Sequence, residues 1–267
     1  MNNSDVSKDE LKHGIDHSGQ WFQGALGQAV LLTERHFVAR VLPDLFGYHI
    51  LQIGAPGEAH FLDSSRINHK VITDCHREAP TAGINMICDQ HALPLGSDNV
   101  DVMVLPHVLE FDTNPHQVLR EMERALIGEG HVVIIGFNPW SLWGLWRLFY
   151  AWRDRFPWNG KYISMARLRD WLALLDFEIT RTEYFYYRPP LENPRISKKL
   201  GFMEQLGRYC WRYLGGIYLL VAKKRVIPMT PIKIQWQKRR HMLAAGGVEP
   251  TTRNTYAGDQ GLGLGRD

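Results

Sequence analysis

Cysteine is scarce in this chain, and the three present, Cys75, Cys88 and Cys210, show no CxxC pairing or metal-ligand spacing. A disulfide framework is therefore excluded, and a reducing compartment fits best. The twelve histidines are dispersed and form no HExxH segment, so no metal is expected. The first residues, MNNSDVSKDELKHG, lack the apolar stretch of a signal peptide, and the cytoplasm is the expected location. Charge of one sign is also missing. The net charge of +3 creates no global field for nucleic acid, and RNA is not expected as the main partner. Only Lys223–Arg240 is one-sided, holding seven basic residues and no acid. Such a run is usually a solvated tail, with RNA or anionic lipid as the alternative.

One long apolar run stands out against these absences. Val132–Trp152 carries Arg147 as its only charge, and its twenty-one residues could span a bilayer. Asn138-Pro139 divides it into a strand-like VVIIGF and a helix-like SLWGLWRLFYAW, so it reads as a buried strand followed by an aromatic helix over 140–158. The 45% hydrophobic and 22% charged composition is that of an ordinary globular chain, and 267 residues suffice for one α/β domain with additions. The domain is expected over 21–225, with flexible residues 1–20 before it and a basic, disordered tail over 226–267.

Periodicity places the elements. Residues 25–42 form a helix with Leu26, Val30, Phe37, Val41 and Leu42 at near-helical spacing, ended by Pro43. Strands follow, ending near Ile53 and then over His69–Cys75, Ile84–Cys88, Val100–Leu105 and His131–Gly136. Between the last two, Pro115 opens a helix with Val118, Leu119, Met122, Ala125 and Leu126 on one face, and Gly128 suits its stop. Residues 163–177 form another helix, with strands over 178–187 and 216–225 and an insertion over 188–214. Alternating strands and helices predict a parallel sheet wound by right-handed crossovers.

The run ILQIGAPGEA carries the most information. An apolar strand opens onto Gly54, and a strand feeding a glycine turn ahead of a helix is a nucleotide-site signature. Asp74 follows twenty residues later at a strand end, placed to accept hydrogen bonds from ribose hydroxyls. Asp89, just past the next strand, is placed to meet an adenine amine, with Leu93 and Leu95 beside the base. The alternative is that both aspartates cap loops, as loop aspartates commonly do.

The order ILQIG, VITDC, CDQHALPLGSDNVDVMVLPHVLEF, VLREMERALIGEGHVVIIGFNP resembles the class I S-adenosylmethionine-dependent methyltransferases, most closely those called methyltransferase type 11. The resemblance covers about residues 48–225 and is most specific over 89–136. Gly136-FNPWSLWG-Leu145 is similar to a GFNPxSLxGL segment of a bacterial subgroup. The resemblance implies a Rossmann-like, seven-stranded, mostly parallel sheet with helices on both faces and a terminal antiparallel hairpin. It implies S-adenosyl-L-methionine as cofactor, held by Gln52, Gly54, Gly57, Glu58, Asp74, Asp89 and Gln90. The glycine motif departs from the family pattern: Gln52 stands where an acid is usual, and Pro56 and Glu58 replace glycines. A glutamate in the first turn opposes a pyrophosphate but not a sulfonium amino acid, whose ammonium Glu58 or Gln52 could face.

Methyl transfer needs positioning and water exclusion more than a universal base. Where an acceptor must lose a proton, His107 and Glu110 are the candidates; a strand-end histidine bonded to backbone is the equal alternative for His107. Asn138-Pro139-Trp140 invites comparison with the Asn-Pro-Pro-Tyr signature of nucleobase methylation, but it follows the fifth strand and not the fourth. Asn138, Trp140 and Trp143 are instead candidates for contact with substrate. The aromatic stretch Trp140–Trp158, interspersed with Arg147, Arg153 and Arg155, predicts an apolar or amphipathic small-molecule acceptor and weak membrane-surface contact. The alternatives are a non-catalytic binding or scaffold protein of the same fold and, more distantly, an RNA methyltransferase. Oligomeric state is not legible.

Overall fold

The computed structural model describes residues 21–58, 60–75, 83–150, 156–191 and 200–226. The expected N-terminal tail, all but Val226 of the expected C-terminal tail, and parts of the aromatic stretch and of the 188–214 insertion lie outside the described residues.

The chain runs α1 (Ala25–Ala39), β1 (His49–Ile53), β2 (His69–Asp74), β3 (Met86–Ile87) and β4 (Val100–Pro106). Next come α2 (Val108–Phe111), α3 (Pro115–Ala125), β5 (Leu126–Phe137) and α4 (Leu142–Tyr150). It ends with α5 (Met165–Leu174), β6 (Phe177–Phe185), α6 (Phe202–Cys210) and β7 (Ile217–Lys224). The seven strands form one sheet in the order β3-β2-β1-β4-β5-β7-β6. β1 to β5 pair in parallel, and β7 is antiparallel to both β5 and β6. This is the mostly parallel, Rossmann-like sheet with a terminal antiparallel hairpin that the family resemblance implies.

The central strands are buried on both faces, which accounts for their unbroken apolar runs. Their period of two splits the core. Val102, Val104, Val133 and Ile135 face one cluster with α1, while Met103, Leu105, Val132 and Ile134 face another with α3 and α5. On α1 the inward stripe is Leu26, Val30, Glu34 and Val38, spaced by four, so a carboxyl occupies a core position.

Two local expectations are corrected. Among the described residues no α-helix stands between Gly54 and β2; Pro56–Glu58 and Leu62–Ser64 are short 3-10 turns. The face such a helix would cover is filled by α1 and by Phe61, Leu62 and Ile67. Gly128 does not stop α3, which ends at Ala125 as Leu126 enters β5 and pairs with Val100. Gly128 lies within the strand, where a Cβ would fall 2.4 Å from Val226 Cγ2. The long apolar run divides at Asn138-Pro139 into β5 and α4, and no described helix is long and apolar enough to cross a membrane.

Candidate active site

The carboxyl ends of β1, β2 and β4 meet where the strand order reverses between β1 and β4, the usual crevice for a ligand in an open α/β sheet. Gly54 takes φ 82°, and its N–H donates to the Thr73 carbonyl at 2.8 Å. Gln52 is fully buried and spans the turn. Its Nε2 donates to the Gly54 carbonyl at 2.9 Å and its Oε1 accepts from the Phe61 N–H at 3.0 Å. Gly57 also has positive φ, 58°, and a Cβ there would meet Phe22 Cβ at 2.4 Å. The buried Phe22 ring thus needs glycine at this point of the loop. Glu58 closes the first 3-10 turn.

Asp74 ends β2 and is buried. Beside it a chain of side chains runs across the strand ends. The Cys75 thiol donates to Gln90 Oε1 at 2.9 Å, and Gln90 Nε2 donates to Asp112 Oδ2. His91 then links Asp112 Oδ1 and Asp89 Oδ1, each at 2.9 Å from a ring nitrogen. Hydrogen bonding from the His91 backbone holds the Asp89 carboxyl below its usual range. Burial works against a charged His91, yet Asp112 and Asp89 outweigh it and raise its pKa. Burial and the neighbouring Asp74 charge push the Cys75 thiol far up, so it stays protonated.

His107 ends β4 in a left-handed conformation, φ 54°, with its N–H donating to the Ile135 carbonyl at 2.9 Å. Its ring is buried between two carboxyls: Nε2 lies 2.7 Å from Glu34 Oε1 and Nδ1 lies 2.9 Å from Glu110 Oε2. Burial alone would lower the imidazole pKa; Glu34 and Glu110 reverse that and push it up to about 10. Burial raises Glu110, against the pull of His107. The other Glu110 oxygen accepts from the Phe137 N–H, whereas Glu34 Oε2 is buried with no hydrogen-bond partner. His107 is thus bonded to backbone through its N–H, as the second sequence alternative has it, and to acids through its ring.

A cavity of about 570 Å³ lies beyond β5, between α4 and the segment around α6. Trp140, Leu145, Leu148, Met203, Trp211 and Leu214 give it apolar walls, and Arg147 and Tyr162 add polar groups. Tyr162 stacks on Phe137 at 5.2 Å, and Phe137 stacks on His107 at 4.3 Å, so aromatic packing joins the cavity wall to the end of β4. Of the three candidate substrate contacts, Trp140 lines the cavity at 74% exposure. Asn138 is buried, its Nδ2 donating to the Tyr213 and Gly215 carbonyls at 2.8 and 3.0 Å, its Oδ1 accepting from the Trp140 N–H at 3.1 Å. Trp143 is fully buried and donates to the Arg188 carbonyl at 2.9 Å.

The FNPWSLWG segment has a local rationale. Asn138 ties the end of β5 to the start of β7, and Ser141 Oγ accepts from the Trp143 and Gly144 N–H groups at the start of α4. A Cβ at Gly144 would lie 1.8 Å from the Pro139 carbonyl oxygen, so only glycine fits. Glu34, His91, Asp112 and Tyr162 are the site residues that sequence reasoning missed. Glu34 alone left a signal, an acid at the four-residue spacing of an apolar stripe.

The strand order is that of the class I methyltransferase fold, and the comparisons agree on the fold. The methyltransferase-domain family, type 11, matches residues 54–134. The uncharacterized protein YafS of Escherichia coli (strain K12) is 34% identical over 206 residues, covering 76% of this chain and 80% of YafS. The chain belongs to the class I S-adenosylmethionine-dependent methyltransferase family. Among solved structures, a Thermotoga maritima S-adenosylmethionine-dependent methyltransferase, a possible histamine N-methyltransferase, matches with TM-score 0.62. Identity is 16%, and the match covers 81% of this chain and 99% of that one. The [4+2]-cyclase SpnF matches with TM-score 0.50 and 18% identity, over 75% of this chain and 83% of that one.

Proposed function

We propose that this chain transfers the methyl group of S-adenosylmethionine to a small apolar or amphipathic acceptor held in the cavity between α4 and α6. The observation that carries the acceptor class is the wall of that cavity, tryptophan, leucine and methionine with one guanidinium. The residues at the strand ends fit the cofactor. Gly54 lets the backbone turn away, Asp74 stands where ribose hydroxyls would be met, and Asp89 is held as a carboxylate acceptor by His91.

When bound, S-adenosylmethionine supplies a methyl carbon already activated by positive sulfur. The protein's task is then alignment and exclusion of water. In this reading Trp140 is the substrate-contacting member of its segment, while Asn138 and Trp143 hold the walls. His107 and Glu110 act as a positioning pair: the imidazole, kept charged by two acids, fixes the end of β4 beside the transfer point. The test is a melting experiment with S-adenosylmethionine and S-adenosylhomocysteine. Saturation at about a hundredfold over Kd adds roughly 2.7 kcal/mol, a rise of roughly 5 to 10 °C.

A second reading is a binding or scaffold protein that keeps the fold without methyl transfer. It is favoured by the loop itself, where Gln52 is tied to Gly54 and Phe61 and where Phe22 packs on Gly57. SpnF, a [4+2]-cyclase by name, illustrates that this fold is not bound to one reaction. A flat melting response to both ligands at millimolar concentration selects this reading.

A further inference from the structure

We propose that the face formed by α4 and residues 202–214 docks onto an anionic phospholipid surface. Among the described residues, sixteen large hydrophobic side chains are exposed; five lie on 140–149 and six on 202–214. The two segments form one patch, because Trp140 and Leu148 from the first and Trp211 and Leu214 from the second wall the same cavity. The core needs little of this surface. On α4 Trp143 is fully buried, while Leu145, Leu148 and Phe149 are 51%, 74% and 65% exposed. Contiguous exposed apolar surface marks a contact site.

The identity of the partner follows from composition and charge. Trp140, Trp211, Tyr209 and Tyr213 are exposed, and these are the residue types that sit at the headgroup level of a bilayer. By sequence, 140–161 and 188–214 together hold ten basic and three acidic residues, a net +7, whereas the whole chain carries +3. Lys223–Arg240 carries a further +7, so the rest of the chain is net −11, and the two stretches that contain the apolar patch are among its positive parts. Apolar anchors with adjoining cations are what an anionic leaflet attracts. α4 is nine residues long, and no described helix can cross a bilayer, so the contact is superficial. An acceptor dissolved in lipid would enter the cavity from that side, but the docking claim stands independently of the catalytic reading.

The test is flotation of the full chain with phosphatidylcholine vesicles, with and without phosphatidylglycerol, at low and high salt. Flotation with the anionic vesicles is expected. It should fall at least about tenfold at high salt or in the Phe149→Glu/Tyr209→Glu double variant. Neither residue lines the cavity, and each is exposed, so the variant should melt as the wild type does. No flotation at low salt would overturn the proposal, as would equal flotation with neutral vesicles or an unaffected double variant. A dimer that forms through this face, is broken by the double variant and excludes vesicle binding would assign the patch to a second copy. Cofactor binding measured on the same samples keeps this outcome separate from the methyltransferase reading.

Discussion

The two halves of the sheet's carboxyl edge are built from opposite materials. At β1, β2 and β4, polar side chains are buried and hydrogen-bonded: Gln52 with the glycine turn, Gln90 with Cys75 and Asp112, His107 with Glu34 and Glu110. Beyond β5, aromatic and aliphatic side chains stand exposed around a cavity, and the polar groups serve mainly to hold the backbone beneath them. A rigid polar network suits one ligand with fixed donors and acceptors. An exposed apolar groove suits ligands that share shape and hydrophobicity more than pattern. On the proposed reading, one half would specify the cofactor and the other would be free to diverge toward an acceptor.

The largest effect is expected where the first half is charged and dry. Glu34→Ala removes a buried partner of His107 and should cost about 3 kcal/mol, a fall in melting temperature on the order of 10 °C. The pH dependence has a definite sign. A histidine whose folded pKa is raised stabilises fully below its ordinary value of 6.5, and that contribution is lost as pH rises through about 10. The melting gap between wild type and Glu34→Gln should therefore narrow from pH 7 to pH 10.5. A gap that stays constant would mean the imidazole is not the group responding to Glu34.

Second in size is Asp74→Ala. Loss of a charge-assisted hydrogen bond of about 2 kcal/mol should weaken S-adenosylhomocysteine binding roughly 30-fold. Asn138→Ala comes next. Removing its hydrogen bonds to the β7 approach should cost about 1 to 2 kcal/mol by denaturant unfolding, with cofactor affinity altered less than twofold, well under 1 kcal/mol. Smallest on stability is Trp140→Ala, within about 0.5 kcal/mol because the ring is exposed. It should nonetheless weaken binding of an apolar fluorescent probe in the cavity several-fold. Equal loss of cofactor and probe affinity in any one of these variants would dissolve the distinction between the halves.

Much of the fold was legible because buried parallel strands announce themselves as apolar runs bounded by turns. β1, β2 and β4 fall within a residue or so of their expected ends, and Asp74 closes β2 where the pattern puts it. The missing helix after Gly54 was not legible, since its place is taken by α1, which precedes β1 in sequence. Gly128, a glycine after a helix, has the local pattern of a stop, but β5 begins before it at Leu126. The His107 environment was out of reach for a different reason. Its partner Glu34 lies seventy-three residues away, and no local pattern links an acid on one helix to a histidine at the end of β4. Asn138 and Trp143 read in sequence as a polar and an aromatic residue near a site, yet hydrogen bonds to Tyr213, Gly215 and Arg188 account for their burial.

The central claim is that the β1–β2–β4 half holds S-adenosylmethionine, and calorimetric titration tests it most directly. The ligands are S-adenosylmethionine and S-adenosylhomocysteine, and the proteins are wild type, Asp74→Ala and Trp140→Ala. The account predicts saturable one-site binding to the wild type, nearly unchanged affinity in Trp140→Ala and a loss of about 30-fold in Asp74→Ala. No binding to the wild type at millimolar ligand, or binding that Asp74→Ala leaves intact, would contradict it.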